Sequence, residues 1–314
     1  MPFFHHKRGD RMRNKKGELT LLLASILWGT CFVFQKMGMD YIGPFTLGAF
    51  RFLLGGMAII PVMILFDRMK KKKNSKILEI DIGFRDKHVY IGGVICGTVL
   101  FAAASLQQIG LKYTTSGKAG FITSMEIVLV AVIFIFISRK VQMNVLIGVS
   151  LAVIGMYLLC MVEGFYLEKG DTYEFMGVIF WAMQILAIDR YAKKVDVIKL
   201  SFVQFITTGI LSCIFMSIFE NPQWHDIVSA AVPILYTSII EVAVAYTLQV
   251  IGQRDTRPDV AAVILSLESV FAVISGVIIL GETISFREFL GCVFMMAAII
   301  VTQLPKRRKI QKVK

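Results

Sequence analysis

The sequence predicts an all-α integral membrane protein of ten transmembrane helices, arranged as two inverted five-helix repeats. Three observations lead there. Of 314 residues, 56% are hydrophobic and 18% charged, against about 25% charged in a soluble domain. Ten stretches are mostly apolar over the length of about 20 residues that crosses a bilayer. They are 18–37, 45–66, 88–111, 115–138, 142–162, 173–191, 199–219, 229–252, 258–280 and 286–304. The third observation is a repeat. Leu106 to Lys140 falls without a gap on Leu248 to Glu282, 142 residues later, with eleven of 35 positions identical. Apolar composition alone does not set Gln107 on Gln249, Gly110 on Gly252 and Glu126 on Glu268 in one register. The chain reads as a duplication.

Charge fixes how the stretches are threaded. The net charge of +12 is spread in short clusters between apolar blocks, which fits membrane topology and argues against nucleic acid. No small-residue cleavage site follows the first apolar run, so that run is read as a retained anchor. With the N-terminus in the cytoplasm, 28 lysines and arginines lie on inner connections and tails and five on outer ones. Lysine and arginine are retained inside, so both termini are cytoplasmic.

The repeat sets the domain plan. Trp28 falls on Trp181 with a shift of 153, whereas the later stretch needs 142. The difference of 11 lies between the second and third spans, around Met69 to Lys87, whose KKKKNSK core reads as a solvated cytoplasmic loop near anionic lipid. The units are a basic tail, 1–17; a first repeat, 18–165; a second repeat, 170–304; and a basic tail, 305–314. Five spans is an odd number, so the second copy enters the bilayer with the opposite orientation. A pseudo-two-fold axis in the membrane plane is a construction of secondary transporters. Arg139-Lys140 ends the fourth span inside, and the equivalent Gly281-Glu282 ends the ninth outside.

Several chemistries are not indicated. Cys31, Cys96, Cys160, Cys213 and Cys292 are scattered singly through apolar segments, unlike a disulfide framework or zinc site. His5 and His6 are an isolated pair, and His88 and His225 lack spaced partners. There is no P-loop. Neither catalysis, a metal nor a cofactor is expected.

Trp28-Gly29, Phe32, Lys36, Pro44 and Arg51 stand where a repeat opens, and Gly110, Ala119, the SLESVF run from Ser266 to Phe271 and Gly281-Glu282 where one closes. In order and spacing these residues resemble the drug/metabolite transporter superfamily, in its ten-span branch with two EamA repeats, from about 18 to 304. The resemblance implies export or exchange of amino acids or other small metabolites across the cell membrane. Two departures stand out. The family often has a proline after the residues matching Glu126 and Glu268, where this chain has Ile127 and Ser269. A proline-induced helix break is therefore not expected there. The Gly-Glu ending also occurs in the second half only.

Ionisable groups at membrane depth are functional candidates. Glu126 and Glu268 lie near the middle of the fourth and ninth spans. Helical spacing puts Thr115, Ala119 and Thr123 on the face of Glu126, and Ala261, Ala272 and Ser275 on that of Glu268. These faces line a substrate cavity or bond the repeats together. Glu241, mid-way along the eighth span, has Val99 as its repeat partner. This asymmetric carboxyl either couples protons or binds an ammonium group, or bonds a neighbouring helix. Trp28, Phe32 and Gln35 share one face, and Trp181 and Gln184 another; they are opposite walls of one cavity or plain packing.

Arg51 pairs with a carboxylate to brace the outer gate, or snorkels to the interface as Lys36 does. Asp189 adjoins Arg190, which suggests an interfacial ion pair. Gln107 and Gln249 are symmetric gates or matched helix contacts. The whole reads as a carrier working by alternating access. Its cavity is lined by spans one, three, four, six, eight and nine; its partners are a small polar substrate, the lipid bilayer and coupled protons. The rivals are a non-transporting sensor or assembly protein on the same scaffold, and a passive channel.

Overall fold

The computed structural model describes residues 15–73, 86–113, 122–138, 143–160, 169–280 and 284–302. Among them every regular element is a helix. Where water is scarce, a helix satisfies each backbone N–H and C=O within its own segment. The first half contributes α1 (Lys15–Met39), α2 (Pro44–Lys73), α3 (Lys87–Leu111), α4 (Glu126–Ser138) and α5 (Met143–Cys160). The second begins with α6 (Lys169–Tyr191) and α7 (Val197–Phe219), then a short helix, Trp224–Ser229. It continues with α8 (Ala231–Asp255), α9 (Pro258–Leu265), α10 (Glu268–Leu280) and α11 (Phe286–Thr302). Six helices among the described residues are long and apolar enough to cross a membrane: Lys15–Met39, Pro44–Leu65, Lys87–Leu111, Val197–Phe219, Ala231–Asp255 and Pro258–Ser275.

Burial is inverted relative to a soluble protein. Ile64, Ile179, Ile218, Ile278 and Ile300 face outward, while Gln35, Arg51, Gln184, Gln204 and Glu241 are buried. An apolar exterior of this extent marks a surface meant for something other than water. At the end of α3 the logic reverts to aqueous chemistry. Exposed Asp86 caps the helix by accepting the His88 N–H at 2.8 Å, and that bond holds its carboxyl below the usual range.

Packing follows the duplication. α2 lies along its repeat equivalent α7, and α5 along its equivalent α11. The remaining pairs are reciprocal: α3 on α6 answers α8 on α1, α3 on α7 answers α8 on α2, and α1 on α10 answers α6 on α4. Phe52 and Phe205, equivalent at a shift of 153, meet with ring centroids 6.5 Å apart. Gly29 lets α1 cross α10 at backbone distance, since a Cβ there would lie 2.7 Å from the Ala272 nitrogen. This explains a glycine beside Trp28.

Three expectations need correction. The lysine run does not all lie in a loop, because α2 continues through Lys73; lysine is a good helix former. Asp189 pairs with Lys193, one turn on, because helix neighbours at i+4 face each other and those at i+1 do not. Arg190 instead lies over the Tyr191 ring at 5.9 Å. Most consequential, the fourth and ninth spans are interrupted despite lacking proline. The chain turns at Met125, and α4 restarts at Glu126; it turns again at Ser266 and Leu267, and α10 restarts at Glu268. Leu267 N–H bonds the carbonyl three residues back, at 3.2 Å, and so does Ser269 N–H at 3.4 Å. The Ser266 hydroxyl bonds Val263 O at 2.9 Å, the serine back-bonding that bends helices. The tails, Thr115, Ala119, Arg139-Lys140 and Gly281-Glu282 lie outside the described residues.

Candidate functional site

The helix breaks put two carboxyls at the first residue of a new half-helix, facing the interior. Glu126 and Glu268 both line one buried cavity, with Glu241 as a third acid. The two breaks also touch, through Ser124 and Ser269 hydroxyls 3.0 Å apart. Neither Glu126 nor Glu268 has a hydrogen-bond or ion partner among the described residues.

Glu241 is held differently. It lies in a π-helical stretch of α8, Thr237–Tyr246, a distortion that recurs at functional sites. Arg51, only 1% exposed, donates from Nη1 to its two oxygens at 3.1 and 3.3 Å. Gln35 Nε2 donates to Oε1 at 2.9 Å, and Gln108 Nε2 holds the Gln35 carbonyl at 2.6 Å. Arg51 stands behind Glu241 rather than on the cavity wall, so a carboxylate has taken it up rather than the interface.

The opposite wall is aromatic. Trp28 meets Tyr246 edge-on at 4.8 Å, and Trp181 lies parallel to the same ring at 6.4 Å. Phe32 completes the wall. The two tryptophans therefore face one cavity through a shared tyrosine. Both indole N–H groups are buried without a partner.

The glutamines form the sides. Gln107 reaches Thr123 at 3.4 Å, and the Thr123 hydroxyl donates to Glu174 at 2.8 Å. Gln249 and Gln184 exchange bonds at 3.1 and 3.4 Å. Gln249 lines the cavity and Gln184 backs it. Gln107 and Gln249, like Gln35, thus bond side chains of neighbouring helices. The cavity is ≈ 30 Å³, room for about two waters, so anything larger enters only when helices part. No cluster of three metal-ligating residues occurs among the described residues.

Sequence reading missed Gln108, Glu174 and Tyr246. All three are polar in one half and apolar in the other, opposite Val250, Leu21 and Ala104. The same asymmetry that exposes Glu241 would have found them.

A mostly buried polar chamber inside an apolar-surfaced helical bundle defines the class: a multi-pass membrane protein. Comparison with known proteins agrees. The EamA-like transporter family matches residues 15–161 and 168–304, and the chain belongs to that family. An "Uncharacterized transporter" of Archaeoglobus fulgidus is 29% identical over 288 residues, 91% of this chain and 85% of its own. "Uncharacterized transporter YetK" of Bacillus subtilis is 23% identical over 321 residues, covering 98% and 93%. A solved crystal structure superposes with a TM-score of 0.75 at 18% identity, over 93% of this chain and 97% of the other, a likeness of fold.

Proposed function

We propose that the protein is a secondary active carrier of a small polar metabolite bearing an amino group, an amino acid or derivative. It works in the cell membrane by alternating access, as an exporter or exchanger driven by protons. In this reading ten spans form two inverted repeats with both termini cytoplasmic. The odd span count per repeat, the charge asymmetry of the connections and the reciprocal helix packing support that plan. The repeats rock about the cavity, exposing it to one side at a time. Glu126 and Glu268 take cargo or protons, Glu241 is the asymmetric coupling group steadied by Arg51, and Gln107 and Gln249 gate the two ends.

One observation carries the reading. Three carboxyls from separate helices converge with two tryptophans on a cavity where two helices break. Discontinuous helices around a midplane site are how carriers expose backbone and side chains to a solute. An unneutralised carboxyl at this depth is costly, which is why each must hold a proton or a cation as the site changes sides.

The test is counterflow of radiolabelled amino acids and their amides in proteoliposomes. Glu126→Gln, Glu241→Gln and Glu268→Gln each remove one charged acceptor, worth about 1.5–3 kcal/mol, so at least one should slow flux about tenfold or more. Unchanged flux in all three would refute the assignment. Flux that never saturates would favour a channel.

A further inference from the structure

The charge of the cavity wall says which amines fit. Among the described residues three carboxyls line it, and no cationic side chain does. The nearby guanidinium, Arg51, already donates to both oxygens of Glu241. Other cations on the surrounding helices are engaged elsewhere or lie outward: Lys36 is exposed, Lys112 sits over Tyr113 at 5.9 Å, Arg254 pairs with Asp255 at 3.3 Å, and Arg257 pairs with Asp259. Among the described residues Glu126 and Glu268 have no hydrogen-bond or ion partner, and the breaks that carry them are joined.

The aromatic wall points the same way. Ring faces are negative, and cations settle over tryptophan best; Trp28, Trp181 and Tyr246 offer three such rings. Two of the residues lining the cavity, Trp28 and Trp181, also carry indole N–H groups that are buried without a partner. Those suit a carbonyl, amide or hydroxyl oxygen. A free carboxylate, by contrast, would meet two open glutamates and no counter-ion.

Resting on the carrier reading above, we infer that the cargo is an organic amine with no free carboxylate, its ammonium held by Glu126 and Glu268 against the Trp28–Tyr246–Trp181 wall. An amino acid enters this class once its carboxyl is masked as an amide or ester, and simple amines belong to it directly. The wall of indoles then reads the neutral oxygen.

The test uses three compounds on one carbon skeleton: L-leucine, L-leucinamide and isoamylamine. Binding to the protein in nanodiscs is read by tryptophan fluorescence. Trp224→Phe is used throughout, because Trp224 is exposed on the short helix and would mask the cavity pair. Leucinamide and isoamylamine should bind at least about tenfold tighter than leucine, a gap of about 1.4 kcal/mol. Glu126→Gln/Glu268→Gln should weaken both amines by a similar factor and narrow the gap. Leucine binding as tightly as leucinamide overturns the inference while leaving a zwitterion carrier intact. No fluorescence response to any compound, or amine binding unchanged in the double variant, overturns it too. The carrier reading fails separately, if Trp28→Cys stays closed to a water-borne thiol reagent from both sides under every condition.

Discussion

The two ends of the α2–α7 pair occupy equivalent places in the duplication and are fastened by different chemistry. At one end Glu220, just past α7, caps the start of α2. Its carboxylate accepts the Phe45 and Thr46 N–H groups at 2.9 and 2.7 Å and the Thr46 hydroxyl at 2.6 Å. At the other end Asp67, the equivalent of Glu220 at a shift of 153, forms an ion pair with Lys199, the equivalent of Thr46, at 3.2 Å. The cause of the difference sits one helix cap away. Gly43 has no side chain and no room for one, since a Cβ there would fall 2.3 Å from the Glu220 carboxyl. Its equivalent is Asp196, whose own carboxylate caps Ile198 and Lys199 N–H at 3.0 and 3.3 Å. With the cap filled locally, the second carboxylate is released to pair with lysine. Duplication preserved where a carboxylate sits, and the neighbouring cap decided what it does.

The middle of the same pair shows the largest divergence. Arg51 of α2 is equivalent to Gln204 of α7, and Glu241 to Val99. A buried ion pair therefore joins the two copies at one place, while at the equivalent place the arginine's counterpart, Gln204, is an amide with neither atom hydrogen-bonded. Glu241→Gln leaves Arg51 charged and buried with nothing to match it. Breaking one side of such a pair costs about 3–5 kcal/mol, so thermal unfolding of the purified protein should fall steeply. Arg51→Gln/Glu241→Val rebuilds the residue types of the equivalent place, Gln204 and Val99, and should be milder than Glu241→Gln alone. If the double variant is the worse of the two, the pair does more than neutralise itself.

The Glu220 end should show an intermediate effect. Glu220→Ala removes the cap of α2, a loss of about 2 kcal/mol at the upper end for helix caps. Adding Gly43→Asp copies the Asp196 solution and should restore most of that stability in the same melting assay. A double variant no better than Glu220→Ala would show that the tether between helices matters rather than the cap.

How far the sequence foretold this depends on the interaction's range. The all-helical membrane character came through because bilayer length and lipid-facing surface are written in composition: six helices among the described residues are long and apolar enough to cross a membrane. The register of Glu126 with Glu268, and of Trp28 with Trp181, came through because both copies retained it. The breaks did not, because they were sought as prolines. Here a serine two residues before each glutamate stands at the turn, Ser266 bonding back to its own helix and Ser124 across to the other break. The setting of Glu241 was also hidden, since the Arg51 and Gln35 side chains that hold its carboxyl come from two other helices. Glu174 was passed over because it stands at the edge of its apolar stretch, and only the fold brings Thr123 to it.

The Asp67 end should move least. Asp67 is 34% exposed and Lys199 8%, so solvent screens the pair, and partly exposed pairs of this kind contribute about 0.2–1 kcal/mol. Asp67→Asn should lower stability by that small amount, and the gap between it and the unsubstituted protein should shrink as salt rises. Glu220→Ala should show no such salt dependence, because its bonds end on backbone N–H groups and a hydroxyl. Equal salt sensitivity at both ends would mean that the two fastenings are one electrostatic device after all, and that the cap at Gly43 does not explain their difference.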